Sequence, residues 1–139
     1  MKIRSSFVSN SSSSSFVVIN ARGGYIKPAL NDNLVVGKYF GCSEFGWGPE
    51  EDIGDFGSRV IWAYLQSESV NNKYLQMIEK VIKENSNVQN IEWKVLGYID
   101  HQSKIRERPE NEEIFKSKEV LKDFLFGADS YIHVDNDNH

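Results

Sequence analysis

Residues 91–99 read Ile-Glu-Trp-Lys-Val-Leu-Gly-Tyr-Ile, which is the clearest strand pattern in the chain. Apolar and charged side chains alternate through the first five positions, and the pattern then becomes almost continuously apolar. Alternation with a period of two is typical of a β-strand that buries one face. The sequence therefore predicts one strand over 91–99, against which the rest of the fold is arranged.

Two amphipathic helices are predicted before this strand. Their apolar residues recur at helical spacing, and Asp55 and Ser58 are both suitable N-caps for the first helix. The link over 66–69 is so short that the two helices should pack as an αα-hairpin. The predicted buried faces are Val60, Ile61, Tyr64 and Leu65, then Tyr74, Leu75, Ile78, Val81 and Ile82.

A third helix and further strands complete the predicted fold. Ser117 is the expected N-cap of the third helix, and Gly127 is its expected end. Additional strands are predicted over 16–20, 34–40 and 130–134, whereas 41–52 and 100–113 are predicted as loops. We therefore expect an α+β fold, with a small, mostly antiparallel sheet of about four strands and the αα-hairpin and third helix packed on one face. Residues 1–134 should form one domain, followed by a polar C-terminal tail over 135–139.

Composition limits the class of protein. With 139 residues, 40% hydrophobic and 26% charged, the chain is long enough for one core. A net charge of −4 argues against a nucleic-acid-binding protein, which usually carries a basic face. Cys42 is the single cysteine, so no internal disulfide can form. No signal peptide or membrane-spanning segment is expected, and a cytoplasmic location is the simplest interpretation.

The serine run, residues 11–15, lies between the apolar stretches Phe7-Val8 and Phe16-Val17-Val18-Ile19. These flanks indicate that the run is a loop anchored to the first strand and not a free tail. Loops rich in N–H and hydroxyl groups can hold an anion. Ser11, Ser12 and Ser13, assisted by Arg22, are the predicted ligand-binding residues, although the run lacks the lysine and glycines of a nucleotide-binding P-loop.

The strongest catalytic-looking group is Asp100-His101-Gln102-Ser103, directly after the predicted strand. In an extended segment, His101 and Ser103 would share one side while Asp100 pointed away, so Asp100 could not orient the imidazole. His101 and Ser103 are therefore catalytic candidates only, and a protein without enzymatic activity is favoured. Asp100 and Gln102, together with Phe45 and Trp47 of the glycine-rich loop, are the predicted interaction residues.

Two groups of metal-ligand residue types are present. One is the acidic loop, with Glu44, Glu50, Glu51, Asp52 and Asp55; the other is the C-terminal end, with His133, Asp135, Asp137 and His139. The loop matches no calcium-binding spacing, and terminal residues are usually frayed. No metal site and no cofactor are therefore predicted.

The N-terminus resembles one shared by small uncharacterised proteins of bacteriophages, also found in some bacteria. The resemblance rests on Met1-Lys2-Ile3-Arg4 and on the stretch from Phe7 to Phe16, although Ser6 replaces the usual glycine. The stretches 44–47, 98–103, 126–132 and 135–138 are similar to the same group. The resemblance implies a phage or mobile-element origin, and expression inside a bacterial host, but no activity.

Three functions are compatible with these observations. The first is a non-enzymatic binding protein that engages a host or phage protein, such as a defence component, or a small anionic ligand. The second is a small hydrolase or nucleotide-handling enzyme that uses His101 as an acid or base. The third is a virion or assembly protein whose N-terminal motif is processed.

Overall fold

A computed structural model describes residues 14–46 and 49–135 of the chain. Trp47 and three of the predicted ligand residues, Ser11, Ser12 and Ser13, lie outside the described residues, as does the end of the predicted tail, 136–139.

Three α-helices form where the apolar periodicity predicted them. They are α1 (Phe56–Glu68), α2 (Leu75–Glu84) and α3 (Lys118–Phe126). Asp55 is the N-cap of α1, and its carboxylate accepts the Ser58 N–H at 3.0 Å. Ser117 caps α3 in the same way, since its hydroxyl accepts the Val120 N–H at 3.1 Å. All three helices pack against one another, so the predicted hairpin is extended into a three-helix layer.

The described strands are short and form three sheets. They are β1 (Phe16–Val18), β2 (Asn33–Val36), β3 (Glu44–Phe45), β4 (Glu51–Ile53), β5 (Asn90–Trp93), β6 (Tyr98–Ile99) and β7 (Tyr131–Val134). The first sheet is antiparallel with the order β1-β7-β4, whereas β2 pairs with β5 and β3 with β6 in parallel. The α+β class is confirmed, but the strands are divided among three sheets where one sheet was expected.

The predicted strand over 91–99 is interrupted. Its first half is β5 and its last two residues are β6, which belongs to a different sheet. Between them Leu96 is 88% exposed. Gly97 then approaches the Ser43 carbonyl so closely that a Cβ would lie 2.0 Å from its oxygen. Glycine therefore allows the chain to leave one sheet and join the next, which the apolar run did not reveal.

The loops predicted over 41–52 and 100–113 contain regular structure. The first holds β3 and the beginning of β4, although its glycines and flanking aromatic residues indicated an ordered loop. The second holds two 3₁₀ helices, His101–Ser103 and Pro109–Phe115. In the first segment, pairing of β3 with β6 and of β4 with β7 outweighs a weak local preference for strand.

One hydrophobic cluster joins the helices to all three sheets. Trp62 of α1 lies at its centre with no exposed surface, and Phe45 of β3 packs edge-on against it at 5.1 Å between ring centroids. Arg59 of α1 is also buried, and its guanidinium donates to the carbonyls of Gly54, Phe124 and Gly127. These bonds fix the start of α1 to the end of α3.

Candidate functional site

Three segments singled out from the sequence meet at one place in the structure. Phe45 lies beside Ile99 in the β3–β6 pair, and the Asp100 N–H donates to the Phe45 carbonyl at 2.9 Å. The Ser15 N–H donates to Ser103 Oγ at 2.7 Å. The end of the serine run, the glycine-rich loop and the Asp100–Ser103 segment are therefore neighbours.

Ser15 is held by hydrogen bonds at each of its polar groups. Besides the bond from its N–H to Ser103, its carbonyl accepts from Asn111 Nδ2 at 3.0 Å, and its hydroxyl accepts the Asp135 N–H at 3.0 Å. Its neighbour Ser14 accepts a hydrogen bond from Arg108 Nη1 at 2.5 Å. Ser15 is fully buried and Ser14 is 2% exposed, so this end of the serine run is part of the interior.

Asp100 and Ser103 form a buried pair below this segment. The Ser103 hydroxyl donates to Asp100 Oδ1 at 2.6 Å, and Asp100 Oδ2 has no hydrogen-bond partner among the described residues. Burial is the main cause that raises the pKa of Asp100, and the charge of Asp135 raises it further. The Ser103 carbonyl accepts from Gln66 and Asn111, so the turn is fixed from two sides.

The 3₁₀ turn changes the expected geometry of this segment. In a 3₁₀ helix, side chains three positions apart lie above one another. Asp100 and Ser103 therefore meet, and the extended geometry expected from the sequence, with Asp100 pointing away from Ser103, is wrong. His101 instead projects into solvent with its side chain 76% exposed, and its Nε2 lies 3.8 Å from Glu107 Oε2.

The catalytic candidates are consequently separated. Ser103 has no exposed surface, and its hydroxyl already donates to a carboxylate, whereas His101 lies outside. His101 lines a cleft of about 340 Å³ together with Ser69, Lys104, Arg106 and Glu107. The described geometry thus gives His101 a mainly basic surface and separates it from Ser103. The Ser69 hydroxyl that lines the same cleft donates to the Gln66 carbonyl at 2.6 Å.

The predicted interaction residues divide between the interior and the surface. Phe45 is fully buried and Asp100 is 4% exposed, whereas Gln102 is exposed. Gly46, beside Phe45, has φ +104°, and a Cβ there would lie 2.2 Å from Asp100 Oδ1. Phe45 and Asp100 therefore support the surface from beneath and are not available as direct contacts.

Arg22 lies at the other end of β1 from Ser14 and Ser15. It is exposed in a turn after β1, where its N–H donates to Asn20 Oδ1, and the Asn20 N–H donates to Ser130 Oγ. Ser130 precedes β7 and Asp135 follows it, and β1 runs antiparallel to β7. The other predicted anion ligands, Ser11, Ser12 and Ser13, lie outside the described residues, so a site that joins them to Arg22 stays a prediction.

A second polar cluster joins the two groups of metal-ligand residue types that the sequence left separate. Asp52 of β4 lies opposite His133 of β7, and His133 Nδ1 is 2.6 Å from Asp52 Oδ1. His133 Nε2 is 2.8 Å from Glu50 Oε2. Phe16 stacks on the imidazole at 4.9 Å between ring centroids.

Asp135 completes this second cluster, and its position differs from the expected polar tail. It is 5% exposed, and one of its carboxylate oxygens lies within 4.8 Å of the ligand atoms of Glu50 and His133. Glu50 and Asp52, like His133 and Asp135, are two positions apart on paired strands, so both pairs face the same side. This spacing was visible in the sequence, but its meaning depended on recognising β4 as a strand.

Comparison with known proteins gives no match to a family model, a curated protein sequence or a solved structure. Among the described residues, none of the helices is both long enough and apolar enough to cross a membrane. The functional argument therefore rests on the geometry of the two adjoining polar clusters.

Proposed function

We propose that the chain is a non-enzymatic binding protein of phage type, acting in the cytoplasm of a bacterial host, and that the serine run presents its recognition surface. The expected partner is a host or phage protein. The observation that carries this proposal is the hydrogen bond between the Ser15 N–H and Ser103 Oγ, since it fixes the base of the run.

The energetics of this anchor favour a positioning role. Burying polar groups costs free energy that their hydrogen bonds only just offset, whereas an apolar pair of similar shape can be nearly neutral. The fold nevertheless buries Ser14, Ser15 and Ser103 together with Asn111. Compared with an apolar arrangement, these hydrogen bonds provide a defined position for Ser14 and Ser15 at the end of the run.

The experiment separates anchoring serines from presented serines. The triple variant Ser11→Ala, Ser12→Ala, Ser13→Ala alters the run without touching Ser14 and Ser15. The matched control carries Ser69→Ala and Ser86→Ala, which remove hydroxyls that bond to helix carbonyls elsewhere. Each tagged full-length variant is used to capture partners from phage-infected host cells, and thermal melting monitors the fold.

We expect the triple variant to capture at least tenfold less of one partner than the wild type and the control capture. Its melting temperature should be unchanged. The lost partner is then titrated in purified form against all three proteins. Undiminished capture by the triple variant would show that the serine run is not the recognition surface.

A small anionic ligand is the second candidate, because the cleft at His101 is rich in basic groups. Lys104 and Arg106 line it beside the imidazole, with Glu107 as the opposing charge. Thermal shifts with inorganic phosphate and with adenine and guanine nucleotides test this function. Arg106→Gln should abolish the shift, whereas Arg22→Gln, the same charge change at another exposed turn, should not. Equal shifts in both variants would contradict a site in this cleft.

A further inference from the structure

The cluster formed by β4 and β7 has the donor set of a metal site. Glu50, His133 and Asp135 each place one ligand atom within 4.8 Å of those of the other two. Two of these donors are carboxylate oxygens and one is an imidazole nitrogen. His133 lies in β7, whereas Glu50 directly precedes β4 and Asp135 directly follows β7, so the pairing of β4 with β7 brings the three together.

Carboxylates flank the imidazole of His133 on both sides. Its Nδ1 lies 2.6 Å from Asp52 Oδ1, and its Nε2 lies 2.8 Å from Glu50 Oε2. A carboxylate oxygen of Asp135 lies within 4.8 Å of the ligand atoms of Glu50 and His133.

Hydrogen bonds lead from the backbone of Asp135 into the interior. The Asp135 N–H donates to Ser15 Oγ, the Ser15 N–H donates to Ser103 Oγ, and Ser103 Oγ donates to Asp100 Oδ1. At the end of this path Asp100 Oδ2 has no hydrogen-bond partner among the described residues, although Asp100 is 4% exposed. A buried carboxylate oxygen without a donor is costly unless a proton, a cation or a bound water compensates it.

We propose that Glu50, His133 and Asp135 bind one divalent transition-metal cation. His133 ligates through Nε2, and any proton that Nε2 shares with Glu50 is released to solvent when the cation binds. Asp52 keeps its hydrogen bond with Nδ1 and so orients the imidazole. Metal-ligating histidines commonly donate their second N–H to a carboxylate in this way.

The distances require only small movements. Bond lengths of about 2.0–2.1 Å place neighbouring donors of a tetrahedral site about 3.3 Å apart. His133 Nε2 and Glu50 Oε2 are already closer than this, at 2.8 Å. The Glu50 side chain is 58% exposed and free to adjust, whereas Asp135 is buried and its N–H is fixed by Ser15.

The mixed donor set selects the class of cation. Imidazole favours Zn²⁺ and its neighbours, whereas carboxylates also suit Mn²⁺. A site with one imidazole and two carboxylates therefore suits Zn²⁺ or Mn²⁺ better than Ca²⁺, which prefers six to eight oxygen ligands. The open side toward Glu50 leaves room for water ligands. This site is separate from the proposed recognition function, and its test needs no protein partner.

The test uses the untagged full-length chain in calorimetric titrations with ZnCl₂, MnCl₂, MgCl₂ and CaCl₂. Glu50→Gln removes one ligand charge at an exposed position and should leave the fold intact. Glu51→Gln is the matched control, because it makes the same change one position along and faces the other side of the sheet. Asp135→Asn tests the buried ligand, and Asp52→Asn tests the orienting carboxylate.

We expect one equivalent of Zn²⁺ or Mn²⁺ to bind the wild type and to raise its melting temperature. The affinity for this cation should fall at least tenfold in Glu50→Gln and Asp135→Asn. It should fall about tenfold in Asp52→Asn and remain unchanged in Glu51→Gln. Failure of all four cations to bind, or equal affinities in Glu50→Gln and Glu51→Gln, would overturn the proposal. Loss of binding in Asp137→Asn with His139→Gln, but not in Glu50→Gln, would overturn it by assigning the cation to the C-terminal end.

Discussion

Ser103 Oγ accepts the N–H of Ser15 at 2.7 Å and donates its own proton to Asp100 at 2.6 Å. One hydroxyl thus joins the N-terminal segment to a buried carboxyl group. Ser103 lies 88 residues after Ser15, the residue that it anchors. The bonds are mutually dependent because the hydroxyl must point at the carboxylate in order to offer its lone pair to the amide.

Replacing Ser103 with alanine should therefore destabilise the protein through two groups at once. The Ser15 N–H loses its acceptor and Asp100 loses a donor, which we expect to lower the free energy of unfolding by about 2–4 kcal/mol. Urea denaturation measures this loss. Ser86→Ala is the control, since its half-buried hydroxyl bonds to Ile82 at the end of α2, and it should cost less than about 1 kcal/mol. Similar losses in both variants would contradict the central position of Ser103.

Gly46 should tolerate alanine less well than Gly24. Both have positive φ, +104° and +94°, so a side chain at either position costs about 1–2 kcal/mol of backbone strain. At Gly46 the added Cβ also collides with Asp100 Oδ1, whereas nothing lies within 4 Å at Gly24. Thermal melts should show the larger loss for Gly46→Ala. Combining each change with Asp100→Ala should narrow the difference without removing it, because the Cβ of residue 100 would still lie 2.6 Å from the added Cβ. An undiminished difference would assign it to another contact.

Asp100 should give the protein a defined dependence of stability on pH. Its folded-state pKa is raised above the ordinary value of 3.8, so the folded state binds more protons than the unfolded state between the two values. The free energy of unfolding should fall as pH rises through that window and then level off. Asp100→Asn keeps an acceptor for Ser103 and should lack this fall in urea denaturation series from pH 3 upward. Parallel profiles for the two proteins would show that Asp100 does not titrate in this way.

Arg59 should be among the least replaceable residues of the core. Its Nη1 donates to the Gly127 carbonyl at 2.7 Å and its Nε to the Gly54 carbonyl at 2.9 Å. Burial lowers the pKa of its guanidinium, although the group remains charged. Arg59→Met leaves these carbonyls without a donor and should cost about 3–5 kcal/mol in chemical denaturation.

Arg59→Lys provides the comparison for this prediction. It preserves the charge but not the planar fork of donors, so it should recover only part of the lost free energy. Full recovery by lysine would mean that charge alone matters at this position.

Local signals predicted the helices well. The apolar spacing of α1, α2 and α3, together with the caps Asp55 and Ser117, depends on residues within a few positions of one another. The same is true of β7, which the sequence predicted correctly as a strand. The sequence did not reveal which strands pair with β7, because β4 lies in a glycine-rich segment without an alternating pattern.

The candidate functional site was predictable only in part, because its contacts join residues that are distant in the sequence. The sequence predicted the segment Asp100–Ser103 as a source of candidate residues, but the expected extended geometry placed Asp100 on the wrong side of the chain. The contacts of Ser15 with Ser103 and Asp135 span 88 and 120 residues. The pairing of Glu50 and Asp52 with His133 depends on a strand register that no short window contains.

The central place of β7 between β1 and β4 has a consequence for synthesis. Both neighbours leave the ribosome long before residues 131–135, and neither β1 nor β4 has another partner within its sheet. The Asp135 amide that binds the Ser15 hydroxyl arrives with the same late segment. Until then β1 and β4 lack their partner in the sheet, and the Ser15 hydroxyl lacks the amide that it later accepts. Because residues 131–135 complete the sheet, translation speed sets how long these two strands stay unpaired.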